Sequence, residues 1–249
     1  MMNLKRKASV LIALTVLVVS SAESSTIPTN SDHYFIKEYD GFQIVMNCEK
    51  RGLEMMMAVV GKDTGNRQRK GIDFKLDPTV PANCQQTSTN YYPKGYHRGH
   101  ILGANTNENS MKGYLDTFYM TNIMPQRKEL NTGAWDESDV IIECLREQGQ
   151  PLELYAGVIW EGPHARKATR DTHGTPIPDA YWKVIKQGSK QIAWIMPNSA
   201  NATRFTLRDW ESTVEEIQNR IGYDIPGDLD SFKNYRPDSW YNTKNCHRS

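Results

Sequence analysis

The stretch Tyr96-His97-Arg98-Gly99-His100 gathers residue types that suit the chemistry of a phosphate ester. His100 offers an imidazole that can take up a proton near neutral pH. Arg98 offers a planar, permanently charged fork for phosphate oxygens. Gly99 between them permits a close backbone approach or an unusual dihedral. His97 and His100 also have the spacing of a zinc pair on a helix. Gly99, with Pro93 and Gly95 just upstream, argues against a helix here. A zinc site would recruit His97, His100 and either His164 or His173, and it lacks the helical context such ligands want. For His164 and His173 a solvated loop position is the plainer reading.

Downstream, Thr121-Asn122-Ile123-Met124-Pro125-Gln126 is followed by Asn131-Thr132-Gly133-Ala134-Trp135. Asn131 falls where a helix should begin, in the N-cap region. Its amide either caps that helix or offers its carbonyl oxygen to a hard cation at the same place. Magnesium suits the second reading, because it keeps several waters and uses few protein ligands beside substrate phosphate oxygens. Asn131 alone favours neither reading; Arg98 and His100 tip the balance toward the cation.

The elements that must position these residues read as mixed α and β. Short strands are expected at Phe42 to Met46, Met55 to Val60 and Phe118 to Met124, with buried strands at Leu152 to Ile159, Tyr181 to Ile185 and Gln191 to Met196. Asp77 to Asn109 is rich in Asn, Pro, Gly and Tyr, and an ordered loop of that length is usually functional. Trp135, Ser138, Ile142 and Leu145 recur at helical steps, so Thr132 to Gln148 should be a helix with one buried stripe, ended by Gly149 and Pro151. Thr206 to Ile221 should be a second amphipathic helix, started by Thr206 or Ser212 and capped by Gly222. The loop Glu161 to Pro178 carries Arg166, Lys167 and Arg170 beside its two histidines. Arg67, Arg69 and Lys70 form a compact basic patch, for which a solvated loop is again the plainer reading.

The whole chain has 249 residues, 38% hydrophobic and 24% charged, which fits a globular body. A formal net charge of +1 lacks the strongly basic signature of many nucleic-acid binders, although a local basic cleft would suffice. Lys5, Arg6 and Lys7, the apolar run Ala8 to Val19 and the small residues Ser20-Ser21-Ala22 read as a signal peptide over residues 1–22, with an uncleaved anchor as the alternative. Residues 23–40 would be a loose mature N-terminus and 41–249 a single domain. Cys48, Cys84, Cys144 and Cys246 then suggest two disulfides, with three pairings open. Asn201-Ala202-Thr203 is a glycosylation acceptor triplet.

YHRGH, TNIMPQ and LNTGAW, in that order, resemble the DNA/RNA non-specific endonuclease family, which includes secreted bacterial nucleases and endonuclease G. The similarity extends from about Gly41 to Leu229, through Asp77-Pro78, Tyr155 to Gly162, Pro178-Asp179-Ala180-Tyr181-Trp182-Lys183 and Glu215-Glu216-Ile217. It implies an α+β fold, a mainly antiparallel central sheet flanked by helices, with a ββα-metal active site. It implies a metal-dependent hydrolase acting on DNA and RNA, with Mg2+ as cofactor and Mn2+ as a substitute; the signal peptide adds the expectation of secretion, with no stable membrane association once it is removed. Residue by residue, it implies His100 as general base, Asn131 as metal ligand, Asn122 as an orienting group, Arg98 as transition-state stabiliser and Gln126 as support near the substrate. Arg67 or Arg69 would match an upstream phosphate-binding arginine. Two positions depart from the family: His97 stands where its Asp precedes Arg-Gly-His, and Asp139 where its Glu helps hold metal-bound water, with Glu143 as a weaker substitute. The rival is a secreted nucleic-acid-binding protein on the same fold without catalysis, since fold does not guarantee function.

Overall fold

A computed structural model describes residues 33–62, 67–148, 151–162, 170–230 and 238–243. Its centre is an antiparallel sheet of β1 (Tyr34–Tyr39), β2 (Phe42–Asn47), β3 (Gly52–Val60), β6 (Leu152–Ile159), β7 (Ala180–Gln187), β8 (Lys190–Pro197) and β9 (Glu211–Ser212), in that spatial order. Between β3 and β6 the chain leaves the sheet to make a hairpin, β4 (Tyr96–His100) with β5 (Ile123–Arg127), interrupted by the short helix α1 (Met111–Asp116). After β5 come α2 (Lys128–Asn131) and α3 (Ala134–Arg146); α4 (Val214–Ile221) follows β9. The α+β architecture, with a large antiparallel sheet and few helices, is the one expected.

Side chains alternate across a strand, so a sheet covered on both faces needs apolar residues at almost every position. Ile44 and Met46 of β2, Tyr181 and Ile185 of β7 and Trp194 and Met196 of β8 pack with Trp135, Ile142 and Leu145 of α3. Their neighbours Val45, Trp182, Val184, Ala193 and Ile195 point the other way and pack with Val214 and Ile217 of α4. Lys183 shares the α3 face with Tyr181 and Ile185, which aims a charged side chain inside the protein toward α3.

Several boundaries differ from expectation. Tyr34–Tyr39 is not loose but the edge strand β1, paired residue for residue with β2. The strand expected over Phe118 to Met124 lies later. Met120–Asn122 is a 3-10 turn and β5 starts at Ile123. Pro125 is tolerated within β5 because the hairpin has only two strands and a missing N–H breaks no interior ladder. The Thr206 to Ile221 helix is split. Arg204–Trp210 is a 3-10 segment opened by a Thr203/Thr206 capping box, and Glu211–Ser212 then pairs with β8. α4 begins only after Thr213, whose hydroxyl accepts from the Glu216 N–H, and Gly222 ends it at φ +82°, a conformation that favours glycine.

Cys48 and Cys84 are bridged and Cys144 is also disulfide-bonded. Cys246, His164, Arg166, Lys167 and the expected signal peptide lie outside the described residues. Among the described residues no helix is long and apolar enough to cross a membrane.

Candidate active site

The β4–β5 hairpin and the start of α3 build one cleft of about 770 Å³, lined among others by Arg69, His97, Arg98, His100, Asn131, Trp135 and Asp139. The order strand, strand, helix is held together at three points. The Trp135 indole N–H donates to the His100 carbonyl at 3.0 Å, fixing the start of α3 to the end of β4. Asn198, just past β8, accepts from the Arg127 N–H at 2.7 Å and donates to the Pro125 carbonyl, tying the hairpin to the main sheet. Asn122 accepts from the Leu102 N–H at 3.0 Å and donates to the Leu102 and Thr117 carbonyls, pinning the segment that follows His100.

Gly99 is there for close approach, not for an unusual dihedral. A Cβ at this position would lie 2.0 Å from Gln126 Oε1. Because residues alternate, emptying that face at Gly99 leaves Arg98 and His100 on the opposite face, in the cleft.

The His100 ring rests on Phe74 and Phe118, with centroids 5.4 and 5.3 Å away. Its Nδ1 faces the Arg69 guanidinium at 3.4 Å, while Nε2 is buried without a partner. Desolvation, then the charges of Arg69 and Arg98, push its pKa down to about 3. Arg98 lies between the rings of Phe74 and Tyr91, 4.2 and 4.1 Å from their centroids, and donates to the Thr89 carbonyl at 2.7 Å.

The acids around the cleft are already committed. Asp136 pairs with Arg204 at 2.7 Å, Glu143 with Arg146 at 3.1 Å and Asp139 with the buried Lys183 at 2.5 Å. Lys183 also donates to Ser138 Oγ and sits 3.8 Å from the Trp135 ring centroid. Burial raises the Asp139 carboxyl against the opposing pull of the Lys183 ammonium. Arg69 and Arg98, by contrast, have no carboxylate partner among the described residues. The cleft therefore presents two unneutralised guanidiniums beside a neutral imidazole, an arrangement that favours an anion.

Asn131 ends α2 instead of capping α3, whose N-cap is Gly133. Its amide nitrogen lies 3.1 Å from His97 Nδ1. When that nitrogen donates to the ring, the amide oxygen remains for a ligand in the cleft. An amide oxygen in a cleft that the Lys183-paired Asp139 also lines fits a hard divalent cation that keeps most of its waters. It does not fit a zinc cage. Among the described residues no three His, Cys, Asp or Glu side chains gather to hold a metal, and His173 lies in a separate cavity.

Three expected site residues take other places. Asn122 is fully buried and bonds backbone groups, so it shapes the loop after His100 without reaching the cleft. Gln126 is fully buried against Gly99 and cannot touch substrate as it stands. Arg67 donates to the Glu108 carbonyl at 3.0 Å and does not line the cleft, which leaves Arg69 as its upstream arginine. Sequence reasoning missed Phe74, Tyr91, Lys183 and Arg204. Only the charge of Lys183 at the centre of the apolar β7 pattern signalled anything.

A strand, a strand and a helix thus bring a histidine, an arginine pair and an amide oxygen into one open cleft. The family model for the DNA/RNA non-specific endonuclease matches residues 19–232. The chain belongs to that family. It is similar to the mitochondrial nuclease EXOG of Xenopus laevis, 28% identical over 191 residues, covering 71% of this chain and 53% of the relative. A nuclease from Nostoc is 27% identical, covering 65% and 61%, and human mitochondrial endonuclease G is 25% identical, covering 64% and 57%. The chain thus spans about half the length of the EXOG relatives it matches. In fold it resembles EndoG as solved in an EndoG/EndoGI complex, with a TM-score of 0.64, 18% identity, and coverage of 78% of this chain and 85% of that one.

Proposed function

We propose that this chain is an exported, magnesium-dependent endonuclease that hydrolyses phosphodiester bonds of DNA and RNA with little sequence preference. The observation that carries this reading is the pair of carboxylate-free arginines, Arg69 and Arg98, flanking His100 in the same cleft as Asn131. Membership of the family supports it.

Arg69 and Arg98 bind the phosphate oxygens of the substrate. Contacts to phosphate instead of base edges leave the sequence unread. Burial is the largest cause of the low His100 pKa; the bound anion offsets the smaller part set by the two guanidiniums, so the imidazole rises from about 3 on binding. His100 then takes the proton from the attacking water. Asn131 would hold the divalent cation through its amide oxygen, and a cation bound there supplies Lewis-acid stabilisation of the leaving oxygen. Asp139, braced by Lys183, orders water beside that position. Magnesium is the expected ion and manganese a substitute. The Cys48–Cys84 bridge supports work in an oxidising compartment, in keeping with export through an N-terminal signal.

His100→Ala and Asn131→Ala are each expected to lower the cleavage rate on the order of 10²–10⁴-fold. The measurement is digestion of plasmid and of RNA in magnesium, then in chelator. Full activity in either variant, or indifference to chelator, overturns the assignment. Binding of nucleic acid without any metal-dependent cleavage would leave only the rival binding role.

A further inference from the structure

Tyr91 is 79% exposed, yet it is firmly held. One ring face lies on the Arg98 guanidinium, 4.1 Å from the centroid. The backbone beneath it is fixed from two sides. Arg98 donates to the Thr89 carbonyl, and His173 hydrogen-bonds the Tyr91 backbone while stacking on Tyr92 at 4.9 Å. His173 is itself 4% exposed and adopts φ +58°, a conformation a non-glycine residue keeps only where its surroundings hold it. The loop thus presents a large apolar ring to water on a rigid mount.

Tyr91 also stands between two spaces. It lines the cleft with Arg98 and His100, and it lines a second cavity of about 580 Å³ with Ser88, Asn90, Tyr92, Asp171 and His173. His173 Nδ1 has no hydrogen-bond partner. The proposed phosphate ligand Arg98 touches the tyrosine ring directly, so the base attached to the bound nucleotide, or its neighbour, comes within reach of that ring.

We propose that Tyr91 is a stacking platform for an unpaired nucleobase beside the bound phosphate, and that the adjoining polar cavity receives the edge of that base. The ligand class is single-stranded nucleic acid. In a duplex both faces of each base are covered by neighbours, whereas an unpaired base offers its face to an aromatic ring. Every base has such a face, so the contact adds affinity without sequence preference. The inference takes only the position of the phosphate from the nuclease reading.

The test separates stacking from cleavage. In chelator, fluorescence anisotropy reads binding of the full chain to a labelled single-stranded oligodeoxynucleotide and to the same strand with abasic sites. The wild-type chain is expected to bind the base-bearing strand about tenfold more tightly, within the range of base–aromatic stacking. Tyr91→Ala is expected to erase the difference, and Tyr91→Trp to keep it. A wild-type ratio near one overturns the proposal. So does a ratio that survives in Tyr91→Ala, or a loss equal on both strands, which would mean that Tyr91 acts only through Arg98. A parallel digestion in magnesium reports on the nuclease reading alone: failure to cleave would sink that reading and leave the anisotropy ratio to judge the platform.

Discussion

Burial and two neighbouring guanidiniums act on the His100 ring in the same direction. Unfolded, an imidazole titrates near 6.5; folded, this one titrates near 3. Between those values the unfolded chain binds the extra proton, so stability falls as pH drops from about 6.5 toward 3 and is complete above 6.5. A series of melting temperatures over that range should slope downward on acidification, and His100→Gln should flatten the slope. An unchanged slope would show that the ring is not held neutral by its surroundings. The place of this residue in the cleft was legible in the sequence because a His, an Arg and a Gly stand together. Its electrostatic state was not, because Arg69, Phe74 and Phe118 reach it from other parts of the chain. The same limit explains Asn122 and Gln126. Their motif positions were recognisable, but burial behind the hairpin is a property of the fold.

Among the elements, the hairpin and β7 carry the site. Gly99→Ala would drive a methyl into the buried Gln126, 2.0 Å from its Oε1. Overpacking of this kind costs about 1–3 kcal/mol. It should also shift β4 and with it Arg98 and His100, so urea midpoint and cleavage rate are expected to fall together. Lys183→Met would strand Asp139 beside the core. The Asp139 side chain is 26% exposed, so the loss should be on the order of 2 kcal/mol, below that of a fully buried pair. Adding Asp139→Asn should recover part of it in denaturant unfolding; no recovery would show that the two residues are not coupled. Strand periodicity located β2, β6, β7 and β8 closely because the sheet is covered on both faces. It failed where pairing overrode local pattern. Glu211 and Ser212 sit inside a helical repeat, yet they join β8, and only Thr213 opens the helix.

At the scale of the molecule, the sheet presents one face to α3 and the cleft and the other to α4, so chemistry and support lie on opposite sides. The last described segment, residues 238–243, closes the α3 side. Trp240 is 4% exposed within the main apolar cluster, and the Tyr241 hydroxyl meets the Trp194 indole and Glu211 beside β9. None of these residues lines the cleft. A chain cut before Asp238 should therefore keep the cleft residues proposed for catalysis while uncovering a greasy flank next to a two-residue edge strand. The expected phenotype is a preparation that still digests substrate when fresh and dilute but clumps on concentration, as light scattering would record. In that sense the tail acts as a plug against self-adhesion, and trimming it to improve crystals or yield would be self-defeating.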